Sequence, residues 1–408
     1  MPRLRGQVPL LWVLLALPLL AAASPAATVL YRFTGGADGG APEGPLLADS
    51  AGNLYGTTQS GGLGYGVVFR LAPPAVHGGS WTESVLYAFT DADDATPTSG
   101  LALDARGNLY GTTIGSGSVV FRLSPDPTAG NGRWVYAVLY RLNTTAALPN
   151  AVTVGDDGNL YGTAYYGGDD NPYGSGLVYR LSPPAQPDST WSFAALHSFA
   201  GYPTDGAYPA GAVILDAQGN IYGTTSEGGT GRCFSAGTFI GCGTVFMLSP
   251  TSAGWVASTL YDFNARENNA PFAGLVPAPD GALYGTATYT AFRLARAGTS
   301  KWRKQDIYQF TEGISGTIPD GVLARDAHGN LYGTSSSSGL SGFSTAFRLT
   351  PPTTATAGWR ETTLANFGQG LATGQPSGGL VFGAFGALYG ITSANTLGDY
   401  GTVFEVAR

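Results

Sequence analysis

A short phrase, Leu/Ile-Tyr-Gly usually preceded by Gly-Asn, returns seven times in this chain. Its tyrosine stands at Tyr55, Tyr110, Tyr161, Tyr222, Tyr284, Tyr332 and Tyr389. Successive copies lie between 48 and 62 residues apart. Self-similarity at that period signals stacked units, none of which can bury its apolar face alone. A length of 408 residues ordinarily suggests two or more domains, but a repeat array overrides that prior.

Each unit holds four segments of strand length, here called A to D. In the first full unit these are Leu46-Leu47-Ala48-Asp49, then Asn53 to Thr58, then Gly66-Val67-Val68-Phe69-Arg70-Leu71, then Trp81 to Phe89. β-branched and aromatic residues separated by Gly, Pro and Asp are strand and turn signals. In segment D, Trp81, Trp134, Trp191, Trp255, Trp302 and Trp359 each precede by six residues a position filled by Tyr87, Tyr140, His197, Tyr261, Tyr308 and Ala365. On a regular strand an even spacing places both side chains on one face. Phe89, Phe199, Phe263, Phe310 and Phe367 then join the same face, which predicts one aromatic layer per interface.

The A–B turn reads Asp-x-x-Gly at Asp49, Asp104, Asp216 and Asp326, whereas units three, five and seven lack that Asp. Asp at the first turn position accepts hydrogen bonds from nearby backbone amides, and Gly tolerates positive φ. A turn preference, rather than a calcium ligand, explains a residue that is dispensable in some copies.

The chain opens with a D-like segment, Val29-Leu30-Tyr31-Arg32-Phe33, and stops after a C segment, Thr402-Val403-Phe404-Glu405-Val406. An open solenoid needs polar capping repeats, and neither end offers one. The expected fold is therefore all-β, a seven-bladed β-propeller of four-stranded blades, with the strand at about 28–34 completing the last blade. Residues 28–408 are expected to form that single domain.

The combination of Gly-Asn-Leu-Tyr-Gly-Thr-Thr, a Gly-rich loop, Val-Phe-Arg-Leu-x-Pro and Trp-x5-Tyr-x-Phe resembles the GloVer tandem-repeat family, the choice-of-anchor exported bacterial proteins. The resemblance covers essentially all of the mature chain. It implies secretion and a propeller-like repeat domain, and brings no catalytic residues with it. The chain lacks a recognisable C-terminal anchor, and Tyr179 and Ile391 replace the usual Phe and Thr.

Arg3 and Arg5, the apolar stretch Val8 to Ala23 and the small residues that follow read as a secretory signal peptide over 1–23, with cleavage as late as 26. The stretch is shorter than the roughly 20 residues of a membrane span. Loss of Arg3 and Arg5 with the leader takes the formal charge from −7 to −9. Lys occurs only at Lys301 and Lys304. Such a balance disfavours nucleic acid and anionic membrane as partners. A soluble, secreted monomer without a cofactor is expected.

In a propeller, B–C and D–A loops share one face. The span from the B-strand Tyr to the C-strand aromatic runs from 8 residues (Tyr284 to Phe292) to 24 (Tyr222 to Phe246), more variation than any other loop shows. Recognition is usually built on such loops of a rigid scaffold. This face is therefore expected to bind, through Tyr65, Tyr165, Tyr166, Asp169, Asp170, Tyr173, Glu227, Arg232, Tyr289 and Tyr400, with Tyr202, Asp205 and Tyr208 from D–A loops. Rings beside carboxylates and amides suit a glycan, and a protein partner is the second expectation. Asp91, Asp93 and Asp94 offer hard oxygen ligands of calcium type, but no full coordination loop follows, so a solvated acidic turn is expected. Cys233 and Cys242, the only cysteines, share the longest B–C loop, and an exported chain favours a disulfide between them.

Catalysis has little to stand on. His77, His197 and His328 are the only histidines, and none is expected on the binding face. Neither a Gly-x-Ser-x-Gly elbow nor a phosphate loop occurs. The alternative to a non-catalytic binding or scaffold propeller is a carboxylate-dependent polysaccharide lyase or glycosidase on the same face, since paired acids need no sequence signature.

Overall fold

The computed structural model describes residues 27–408 apart from 91–95, 115–116, 129–131, 143–147, 169–173, 187–189, 266–269, 299–300, 312–317, 337–343, 355, 368–373 and 395–397. The chain is all-β and propeller-like. Unit one is the antiparallel set Gly40–Ala48, Leu54–Ser60, Val67–Ala72 and Thr82–Ala88, paired in that order. Units two to five repeat the same order, each as a separate four-stranded sheet. Units six and seven share one eight-stranded sheet, joined by a single parallel bridge between Val322 and Gly379 on their inner strands. Thr28–Arg32 pairs antiparallel with Thr402–Val406 and supplies the outer strand of unit seven.

Inner strands begin earlier than the sequence suggested. Gly40–Ala48, Gly206–Leu215 and Pro376–Phe382 all start well before the Leu-Leu-Ala-Asp core of segment A. Their glycines let neighbouring inner strands meet backbone to backbone. A Cβ on Gly44 would lie 2.7 Å from Gly100 N, and one on Gly378 would lie 2.4 Å from the carbonyl carbon of Gly44. Both glycines hold positive φ, +74° and +77°, which a larger residue resists.

The repeated phrase has a packing reason for every letter. Leu54 and Tyr55 are buried because segment B is an interior strand with units on both sides. Gly56 is required by the C strand: the Phe69 ring lies across it, so that a Cβ would meet Phe69 Cζ at 2.5 Å. The same geometry recurs at Gly111, Gly162, Gly223, Gly285, Gly333 and Gly390. Thr57 then donates its hydroxyl to Ser99 O, and Thr163 and Thr224 donate to Gly211 O and Ala273 O, each on or just before the inner strand of the next unit. These bonds satisfy carbonyls that a sheet edge leaves unpaired.

The Asp-x-x-Gly turns are as expected. Asp49 Oδ1 accepts from the backbone N–H of Ala51 and of Asn53, while Oδ2 accepts from Asn53 Nδ2 and Tyr55 OH. Asp104, Asp216 and Asp326 repeat the set. In unit three Asp157, further along the turn, takes over for Asn159 and Tyr161.

The single aromatic layer is corrected by the structure. In unit one Val68 faces Tyr87 but Phe69 faces Val85, so Leu86 is an extra residue in the D strand. The matching extra residues are Leu139, Leu196, Leu260, Ile307, Leu364 and, in Thr28–Arg32, Leu30. A bulge of this kind reverses the alternation beyond it. The Trp consequently packs on the preceding unit, as Trp134 does on Tyr55 and Trp191 on Tyr110, while the Tyr and Phe pack on the following one. Tyr87 stacks on Tyr136 at 4.3 Å and Phe89 meets Phe121. Unit seven makes the same two contacts with unit one, through Tyr389 on Trp81 and Phe33 on Phe69.

Candidate functional site

The face that carries the A–B turns holds a cavity of about 650 Å³ between units one and two. It is lined by Tyr55, Asp49, Asp104, Arg70, Arg133 and Trp134 among others. A smaller one of about 290 Å³ between units four and five has the same makeup, with Tyr222, Asp216 and Trp302. Grooves of this type arise wherever a Tyr of one unit meets the Trp of the next. Asp49, Asp104 and Asp216 are already engaged by their own turns. These grooves are by-products of stacking rather than a distinct site.

The opposite face carries a cavity of different makeup. A pocket of about 260 Å³ lies where the B–C loops of units three, four and five meet the D–A segment before unit five. It brings together Tyr165, Glu227 and Tyr289, three of the residues singled out from the sequence, with Ser226, Phe272 and Thr288. Cys233 and Cys242 form a disulfide and stand in its wall.

The aromatic part of the site is a three-ring cluster. Tyr165 stacks on Tyr208 with centroids 4.9 Å apart and planes 16° from parallel, and Tyr166 meets both rings edge-on. Tyr208 holds a φ of 56°, a left-handed conformation fixed by its N–H donating to Ser175 O and its C=O accepting from Ser226 Oγ. Glu227 sits opposite Ala207 on the strand Ile221–Gly228, one residue from Tyr208 along the paired strand. Burial pushes its carboxyl above the usual range. Burial, and then the negative charge of Glu227, raises the Tyr208 phenol.

The remaining expected residues do not converge there. Arg232 lies over the Phe239 ring at 5.3 Å, on a small hairpin of Phe234–Ser235 and Thr238–Phe239 enclosed by the disulfide. Phe234 and Phe239 are exposed, and Tyr202 stacks on Phe239. Tyr65 and Tyr400 are exposed on units one and seven, where Tyr400 lies against Gly35 and Gly40. Asp91, Asp93, Asp94, Asp169, Asp170 and Tyr173 lie outside the described residues. Among the described residues no group of three or more His, Cys, Asp or Glu is placed to hold a metal ion. No helix among them is long and apolar enough to cross a membrane.

His197 lies in the D strand of unit three, as expected, and its Nε2 lies 2.8 Å from Oδ2 of Asp205 in the following D–A loop. Asp205 also accepts from the backbone N–H of Ala200 and Gly206. Burial works against ionisation of Asp205, but His197 and these amides outweigh it and hold the carboxyl below its usual range. The pair ties down the D–A loop, whose Asp205 carbonyl accepts from Gly229 N–H just beyond Glu227.

Phe272 is the pocket residue that sequence reasoning missed. A signal was present: unit five reads Pro271-Phe272-Ala273-Gly274 where unit one reads Pro42-Glu43-Gly44. Phe272 therefore stands where unit one has Glu43, at the same distance from the inner-strand leucine, and it is 59% exposed.

Solved structures share the architecture. A streptogramin B lyase structure aligns with a TM-score of 0.56 at 14% identity, covering 93% of this chain and 97% of that one. A catalytically inactive point variant of virginiamycin B lyase from Staphylococcus aureus with quinupristin aligns with a TM-score of 0.56 at 13% identity, covering 93% and 98%. At these identities the likeness is one of fold, that of a β-propeller. No curated protein matches the chain in sequence. The model of the Gloeobacter/Verrucomicrobia repeat matches residues 19–171, 116–292 and 241–408, and with four-stranded units spaced by the same repeated phrase throughout, the chain belongs to that family.

Proposed function

We propose that this is an exported, non-catalytic binding protein, a monomeric ring of seven four-stranded blades that holds a glycan on its B–C/D–A face. Thr28–Arg32 would complete the last blade. Support for the ring comes from Phe33 on Phe69 and Tyr389 on Trp81, contacts of the same types as Phe89 on Phe121 and Tyr55 on Trp134 between units one and two. The formed disulfide and the leader-like segment at 1–23 support export.

The observation that carries the glycan reading is a pocket of about 260 Å³ walled by Tyr165, Tyr289, Phe272 and Glu227, with Tyr166 and Tyr208 packed against Tyr165. A sugar offers apolar C–H faces for rings and a rim of hydroxyls for a carboxylate. Two of the three rings are supplied by adjacent residues of one B–C loop and the third by the inner strand of the next unit, so the cluster sits across the junction of units three and four.

The test is a polysaccharide and oligosaccharide array with the mature protein. Saturable binding to a sugar class is expected, with affinity lowered at least tenfold by Tyr208→Ala and by Tyr165→Ala while the melting temperature of the disulfide-bonded protein holds. A blank array from folded protein would reject the glycan reading and leave the exposed Phe234 and Phe239 hairpin as the place to seek a protein partner.

A further inference from the structure

Carboxylates on this face are ordinarily engaged. Asp205 accepts three hydrogen bonds, Asp262 Oδ1 accepts from Thr230 N–H, and Asp399 Oδ1 accepts from Gly401 N–H. Glu227 is the exception inside the pocket. Its backbone carbonyl accepts from Thr225 Oγ1, but its side-chain carboxylate has no hydrogen-bond donor among the described residues, and burial alone accounts for the upward push on its acidity. It stands within electrostatic reach of the Tyr165 and Tyr208 phenols, in a pocket whose apolar wall includes Phe272 and Ile240.

A half-desolvated carboxylate without donors is held at a cost, and a ligand that brings donors removes that cost. A ligand that brings a second negative charge adds to it. The whole chain reinforces the second effect, because its formal charge is −7 and its field repels anions. On the glycan reading above, we infer that Glu227 sets specificity: the pocket takes a neutral sugar residue that donates hydroxyl hydrogen bonds to Glu227 and lays a face on the Tyr165 or Tyr289 ring of its wall, and it excludes uronic acids. The volume of about 260 Å³ suits one ring at a time, so the contact is with a terminal or single internal residue rather than a long stretch of polymer.

The experiment compares neutral gluco-, manno- and galacto-oligosaccharides with polyuronate oligosaccharides of equal length, by titration calorimetry on the disulfide-bonded protein. Wild type should bind a neutral class at least tenfold more tightly than any uronate. Glu227→Gln should weaken the neutral ligand about tenfold, the size of a lost charge-assisted hydrogen bond, and should raise uronate binding, so that the preference narrows or inverts. Glu227→Asp, which keeps the charge but withdraws it, should lose affinity and keep the exclusion of uronates. Uronates bound as well as neutral sugars by wild type would overturn the inference while leaving glycan binding intact. An unchanged preference in a folded Glu227→Gln protein would remove Glu227 from that role. Failure of every sugar to bind would instead strike the glycan reading itself.

Discussion

Replacing Gly111 by Ala tests why the repeated phrase contains glycine at all. Gly111 does not need a positive φ, so backbone strain is not the issue. A Cβ would stand 2.5 Å from Phe121 Cζ and 2.9 Å from both Phe121 Cε1 and Leu101 Cδ2. Carbon atoms pack best at about 3.5–4.0 Å, so the methyl is roughly 1 Å too close to two buried side chains. The Phe121 ring cannot swing clear, because Phe89 and Tyr136 hold it with centroids 5.6 and 5.7 Å away. Overpacking of this kind costs about 1–3 kcal/mol, and a fully enclosed ring places Gly111→Ala near the upper end. Urea unfolding followed by tryptophan fluorescence should show the midpoint falling accordingly. Phe121→Leu, which removes the ring edge, should make the double variant more stable than the sum of the singles by at least about 1 kcal/mol. Gly358→Ala, with open space around the added methyl and no positive φ, is the matched control and should be near neutral. A Gly111→Ala protein within about 0.5 kcal/mol of wild type, or additivity with Phe121→Leu, would refute the reasoning.

Two further predictions concern charge. Asp104→Ala removes an acceptor of four hydrogen bonds and strands Tyr110 OH and Asn108 Nδ2, which should cost about 2–3 kcal/mol at pH 7. Burial opposes ionisation of Asp104, but its donors from Asn108, Tyr110 and Arg106 prevail and hold its carboxyl below the unfolded value. Its contribution is therefore present above that unfolded value and lost as pH falls through the folded one, so the gap between variant and wild type should close in acid unfolding curves. Glu83 has the opposite sign: burial first and Asp38 second push its carboxyl up to about 7, and its Oε1 is buried with no hydrogen-bond partner. The neutral form is tolerated fully below the unfolded value near 4.5, and stability is lost as pH rises through about 7. Glu83→Gln should thus stabilise by about 1–2 kcal/mol at pH 8, after allowing for solvent screening of a half-exposed group, and by almost nothing at pH 4. Equal thermal midpoints at pH 8 would sink that assignment.

The strand order, the turn chemistry, the disulfide and the face that carries the pocket were all legible in the residues, for one reason. Each rests on local chemistry or on the repeat period, and both are written in a single strand of text. Tyr165, Glu227 and Tyr289 were reachable because loop length and residue type single them out. The facing of the Trp residues was not legible, because one bulge residue inserts an odd step into an even spacing and leaves no mark in composition. Leu86 and its equivalents look like any apolar strand residue. The His197–Asp205 pair was missed because it depends on how the D–A loop folds back on the end of the D strand, whereas Phe272, in the place of Glu43, was readable and overlooked.

The bulge in the outer strand also changes what counts as the inherited module. Each outer strand reaches backward with its Trp and forward with its Tyr and Phe, so a sheet lifted out of the array would leave half an aromatic joint on either side. The piece that can be duplicated without damage is therefore a joint, the back half of one sheet with the front half of the next. Unit seven displays the consequence of borrowing its outer strand from the start of the chain: no Trp precedes Tyr31 at the usual spacing, and Phe382 from the inner strand meets Tyr332 in its stead.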